Sequence, residues 1–157
     1  MSDAPPLDTP LLPHETYLRS WQPSLAVFAQ RALLLGFATA LALGGIGIVS
    51  WTQWLISLPI LTVLYVFIFD DYSNWVAHRD ERWHLTSQRM IFENAQSPEE
   101  NASIPLSAIS RLRLWFWWTL RIGLENGTAT SIRYIRNPAE ARRRILQAQS
   151  AFYGGDQ

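Results

Sequence analysis

Hydrophobic positions in this chain are grouped before they are periodic. From Ala32 to Phe69 no charged residue occurs, and apolar side chains dominate from Leu25 onward. The stretch Ser24–Val49 has no helix breaker except glycines. At 1.5 Å per residue, its 26 residues would rise roughly 39 Å as a helix, enough for a hydrocarbon layer of ~30 Å. A second apolar segment, Trp51–Phe69, follows almost at once, with Trp51 and Trp54 where indoles favour a membrane–water boundary. Pro59 lies inside it and predicts a kink or a loose first turn. The short connection requires adjacent, antiparallel helices. The pattern therefore predicts a two-helix transmembrane hairpin over 23–70, preceded by a mostly irregular Pro-rich arm over 1–22 and followed by a domain over 71–157.

After Asp71 the helix is expected to continue out of the membrane through Tyr72–Arg82, where neither Gly nor Pro stops it. The period then falls to two. Trp83 and Leu85 alternate with His84 and Thr86, and Met90 and Phe92 with Ile91 and Glu93, which predicts two strands around Ser87–Gln88. Further strands are expected at Ser103–Leu106, Ile109–Thr119, Leu120–Glu125 and Thr128–Ile135. Asn126–Gly127 suits a type I′ hairpin turn. Asn137, Pro138 and Glu140 form a capping-box-like start for a last helix, Pro138–Phe152, with Ile145 and Leu146 on its packing face and Gly154–Gly155 at its end.

Within the first span, Ala32, Gly36, Ala40 and Gly44 recur every four residues. Small side chains at that spacing let helix backbones approach closely in lipid, so these four are the candidate helix-packing face, against the second span or another protein. The charge distribution sets orientation. Arg19 and Arg31 flank the first span, Arg79, Arg82 and Arg89 follow the second, and the turn between carries no charge, which predicts cytoplasmic termini.

Composition narrows the function. Thirteen basic and thirteen acidic residues cancel, which argues against a nucleic-acid binder driven by counterion release. The absence of Cys excludes disulfides, thiolate metal sites and a Cys nucleophile. The spacing His78-x-x-Glu81-x-x-His84 has metal-ligand chemistry if helical, but a change to strand at Trp83 would swing His84 away. Asp70, Asp71 and Asp80 have no opposing group to split their pKa values as acid–base catalysis requires. No phosphate loop or nucleophile elbow occurs, so neither catalytic residue, metal nor cofactor is expected. The run Leu114–Trp118 is the most unusual feature. In an alternating strand Trp115 and Trp117 face one way, and Leu114, Phe116 and Trp118 the other; one set can fill a core and the other meets lipid or a partner. Arg142, Arg143 and Arg144 either touch anionic headgroups or form a solvated helix face.

The segments WHLTSQRMIFEN (Trp83–Asn94), IPLSAISRLRL (Ile104–Leu114) and IRNPAEARRRI (Ile135–Ile145) resemble the pleckstrin-homology-like (PH-like) domain of small bacterial membrane proteins. HETYLRSWQPS (His14–Ser24) is similar to that family's pre-membrane segment, except that His14 stands where Gly is usual. The resemblance implies an α+β membrane protein: a transmembrane hairpin, then a PH-like antiparallel β domain closed by a C-terminal helix. It further implies a bacterial inner-membrane location and a non-enzymatic binding role. One expectation is an accessory subunit or assembly factor of a membrane complex, with a photosynthetic or other bioenergetic partner. The other is a module for anionic lipid headgroups or signalling.

Overall fold

The structure, a computed structural model, describes residues 8–45, 50–68 and 70–154, without the side chains of 43–45, Trp51 and Tyr65. It divides into two compact units, Leu25–Arg79 and a second made of Met1–Ser24 with Asp80–Gln157.

The first unit holds α1 (Leu25–Gly45), α2 (Trp51–Ile68) and α3 (Asp71–His78). Apolar side chains are spread around both long helices rather than confined to one face. α1 and α2 run antiparallel. The Trp54 indole N–H donates to the Ala40 carbonyl at 2.9 Å, and Phe37 meets Trp54 edge-on. α2 continues through Pro59. Among the described residues, α1 alone is long and apolar enough by itself to cross a membrane; α2 qualifies only together with α3, across a 64° bend. Asp70 at the bend adopts a left-handed backbone, φ 54°. The helix expected to continue through Tyr72–Arg82 is therefore broken at Asp70, resumes over Asp71–His78 and gives way to strand at Glu81. Arg31 pairs with the buried Asp71 at 2.9 Å, matching two charges at the end of an apolar helix pair.

The second unit is α+β. Strands β1 (Tyr17–Trp21), β2 (Glu81–Thr86), β3 (Arg89–Asn94) and β4 (Ala102–Pro105) form one antiparallel sheet in that order. Strands β5 (Ile109–Trp115), β6 (Thr119–Leu124) and β7 (Ala129–Ile132) form another, and α4 (Pro138–Gly154) closes the unit. Trp83, Leu85, Met90, Leu120, Ile122, Ile132 and Ile145 belong to one buried cluster. Two antiparallel sheets and a C-terminal helix fit a PH-like α+β fold.

The arm expected to be irregular contains a strand. Tyr17–Trp21 lies after the last of the arm's prolines and pairs with β2, Trp21 opposite Trp83. Its partner lies more than sixty residues away, so no local signal reports it. The residues before it cover the outer face of that sheet. That is why His84, Thr86, Ile91 and Glu93 are buried along with Trp83, Leu85 and Met90, although the two sets alternate along their strands.

Smaller differences have local causes. The β6–β7 loop is not a type I′ turn: Gly127 has φ 82° and Asn126 is not positive. The Gly127 amide donates to the Leu124 carbonyl, the Leu124 amide to the Thr128 carbonyl, and the Thr128 amide to Asn126 Oδ1. This is a three-residue loop with a glycine bulge. Asn137 caps α4 by accepting from the Glu140 amide at 3.0 Å, whereas the Glu140 carboxylate turns to Arg19 and Arg144 instead of closing the box. Ala141, Ile145 and Ala148 face the core at helical spacing, which leaves Leu146 exposed.

Candidate functional site

The strand expected to run to Thr119 stops at Trp115. Phe116 takes a left-handed backbone, φ 54°, and the chain reverses within three residues into β6. Neither aromatic set fills the core. Leu114, Trp115, Phe116 and Trp117 are 44%, 57%, 61% and 64% exposed, and only Trp118 is half-buried. The turn is ordered by its own contacts. Phe116 stacks on Trp118 at 5.0 Å, Trp117 meets Trp118 edge-on, and the Trp118 carbonyl accepts from the Ile135 amide at 3.2 Å. Four consecutive large apolar side chains are thereby exposed at this end of the hairpin.

Behind the tip, the outer face of the same hairpin carries arginines. Arg111 and Arg113 precede Trp115 by two-residue steps on β5, and Arg121 is the cross-strand partner of Arg113. All three are exposed and line a shallow cleft with Ser110, Gly127 and Thr128. No acidic group among the described residues pairs with any of them. The inner face holds Leu112 and Leu114 opposite Ile122 and Leu120. In the sequence only the alternation Arg-Leu-Arg-Leu-Trp signals this face; Arg121 joins it only through strand pairing.

Of the expected helix-packing residues, Gly36 lies against α2 and the Ala40 carbonyl meets Trp54. Ala32, Gly36 and Ala40 are buried. A methyl group at Gly36 would lie 2.9 Å from the Thr62 Cα, so the two helix backbones approach closely there. The side-chain environment of Gly44 lies outside the described residues. Arg142, Arg143 and Arg144 are exposed on α4; Arg144 stands 3.9 Å from Glu140, while Arg142 and Arg143 flank Leu146 in an open groove.

The displaced titratable groups of this unit hold the N-terminal arm. Glu15, 7% exposed, is gripped at both oxygens by Arg89: Nε to Oε1 at 2.9 Å and Nη2 to Oε2 at 3.0 Å. Thr86 donates to Oε1 at 2.6 Å and the Leu12 amide to Oε2 at 2.7 Å. Burial raises the Glu15 pKa, but Arg89, the Leu12 amide and Thr86 together hold it below the ordinary value. Burial likewise raises Glu93, which the Thr9 and Asp8 amides and His84 bring below the usual range.

His84 is fully buried. Burial lowers its pKa further than Glu93 raises it, so the ring is neutral at pH 7. Its Nε2 lies 3.4 Å from Glu93 Oε2 without hydrogen-bond alignment, and its Nδ1 3.5 Å from the Tyr17 hydroxyl. His84 thus belongs to the interior of the sheet unit. Glu81 lies on β2 and His78 on α3, not on one continuous helix, and among the described residues no three His, Asp or Glu side chains converge to hold a metal.

No protein-family model matches the chain, and no curated protein matches it. Among solved structures it is similar to the Vps36 N-terminal PH domain, with 14% sequence identity and a TM-score of 0.37; the overlap takes in 50% of this chain. The chain spans 65% of that structure's length.

Proposed function

We propose that this chain is a membrane-anchored, non-enzymatic binding module whose contact surface is the β5–β6 turn. The observation that carries the reading is the run Leu114–Trp117: four consecutive large apolar side chains exposed on a turn fixed by its own stacking. Anchoring is supported by the apolar length of α1 and by the close seam at Gly36. A binding rather than a catalytic role is supported by the use made of Glu15, His84 and Glu93, which hold the arm inside the sheet unit instead of facing an open cleft.

An accessory-subunit or assembly-factor role in a bacterial inner-membrane complex uses the same surface. It loses some support from α1, because Ala32, Gly36 and Ala40 are already covered within the described chain.

A photo-crosslinking residue at Phe116, in the full chain in cells, tests both parts. The protein is expected in the carbonate-washed membrane fraction and to yield an adduct at that position. Recovery in the soluble fraction would sink the anchor. A membrane-bound protein giving no adduct would sink the contact surface, and an adduct with one integral membrane protein would support the accessory role.

A further inference from the structure

Arg113 and Arg121 are directly opposed across an antiparallel pair. Like charges so placed repel, and no acid among the described residues offsets them. Arg111 extends the same sign along β5. A guanidinium presents a planar fork of donors that matches phosphate oxygens two at a time, so this face suits phosphate groups.

The order of side chains along the strand makes the surface more specific. At ~3.3 Å per residue, Arg113 lies about 7 Å behind Trp115, and Arg111 as far again behind Arg113. The tip is aromatic and apolar, and the cations sit at graded distances from it. A bilayer interface has the same sequence of layers, since rings settle at the headgroup–acyl boundary about 5–10 Å deep while cations stay with the phosphates. A soluble acidic peptide would answer the arginines and leave Phe116 and Trp117 in water. An apolar protein pocket would cover the rings and leave three guanidiniums uncompensated.

Resting on the membrane-anchored reading, we propose that the outer face of the β5–β6 hairpin docks on an anionic phospholipid surface. Arg111, Arg113 and Arg121 take the phosphates, and Trp115, Phe116 and Trp117 enter the interface. The site lies on the second sheet, whereas Arg142–Arg144 lie on α4.

The chain has no Cys, so Phe116→Cys provides a single attachment point for an environment-sensitive fluorophore. Glu125→Cys, exposed at the other end of the hairpin, provides the control. The full-length chain is reconstituted into nanodiscs of phosphatidylcholine alone or mixed with phosphatidylglycerol. The label at position 116 is expected to shift to the blue only in phosphatidylglycerol discs and to revert at high salt, while the label at 125 stays aqueous. Adding Arg113→Gln and Arg121→Gln should lower the docked-to-free ratio about fivefold per arginine, with an unchanged circular dichroism spectrum.

An aqueous label in every disc, a blue shift equal in both lipids, or a shift indifferent to the arginines would each overturn the proposal while leaving the anchor intact. Failure of the chain to enter discs would overturn the anchored reading and this proposal with it.

Discussion

Glu15 and Arg89 form a two-pronged ion pair across 74 residues of sequence. One comes from the N-terminal arm and the other from the first residue of β3, so the pair fastens the arm to the sheet. The Glu15 side chain is fully buried and that of Arg89 15% exposed. Removing one partner leaves the other desolvated. Arg89→Ala should therefore cost about 3 kcal/mol, near the lower end for a broken buried pair because the guanidinium keeps some water. Chemical denaturation in detergent, followed by near-ultraviolet circular dichroism, measures it. A loss under a few tenths of a kcal/mol would mean that the arm is not held there.

The residue before that anchor is strained. His14 has φ 64°, a conformation glycine adopts without steric cost. His14→Gly should raise stability by up to about 1 kcal/mol, the relief of left-handed strain less the extra chain entropy of glycine. A lowered Tm would show instead that the imidazole makes a contact worth more than the strain.

Gly127 is the converse case, with φ 82° and nothing within 4 Å of where a Cβ would stand. Space is available and backbone conformation is the obstacle, so Gly127→Val should destabilise by about 1 kcal/mol or more. Gly127→Asn, which tolerates that region better, should cost less. Equal melting temperatures for the two variants would contradict this ordering.

Stability should fall in two steps on acidification. Unfolded His84 takes up a proton near pH 6.5, and the folded form only at lower pH, so between the two the unfolded chain holds more protons. Its contribution is complete above about 6.5 and is lost as pH falls. The groups facing it are Glu93, Tyr17, Arg82 and Asp8. Glu15 and Glu93, both held below 4.5, give contributions that are present above that value and lost further down. His84→Gln should remove the upper step and keep the lower one. Denaturation midpoints measured across pH would show an unchanged upper step if another group is responsible.

Elements whose signal is local were legible in the sequence. The long apolar run Leu25–Phe69 reported two long helices, and Asn137–Pro138 reported the start of α4 through a capping bond that closes within three residues. What could not be read depends on distant partners. Tyr17–Trp21 has no strand identity until β2 supplies its ladder, and the burial of His84 and Thr86 depends on an arm that looked irregular. Leu114–Trp118 stood out by composition, but its exposure came from a chain reversal at Phe116 that no Gly or Pro announces. The arginine face needed register, since Arg113 and Arg121 meet only across a paired sheet.

The seam at Gly36 gives the sharpest test of the helical hairpin. A Cβ at position 36 would run into Thr62 Oγ1 and stand 2.9 Å from the Thr62 Cα. Rotating the threonine relieves the first contact, but only backbone movement relieves the second. Gly36→Ala should thus force the helices apart and cost about 1–3 kcal/mol, the range for an overpacked contact, and Gly36→Ile should cost more. Thr62→Gly in the Gly36→Ala background removes Oγ1 and Cβ and leaves the backbone contact. It should therefore restore only part of the interhelical packing, less its own penalty in helix propensity. On the proposed membrane-anchored reading, insertion should not suffer from Ile, which partitions well into lipid. The informative readout is consequently the spacing of α1 and α2, measured between spin labels at Leu33 and Leu64 in the inserted protein. An unchanged distance in the Gly36→Ile variant would mean that this glycine does not set the approach of the two helices.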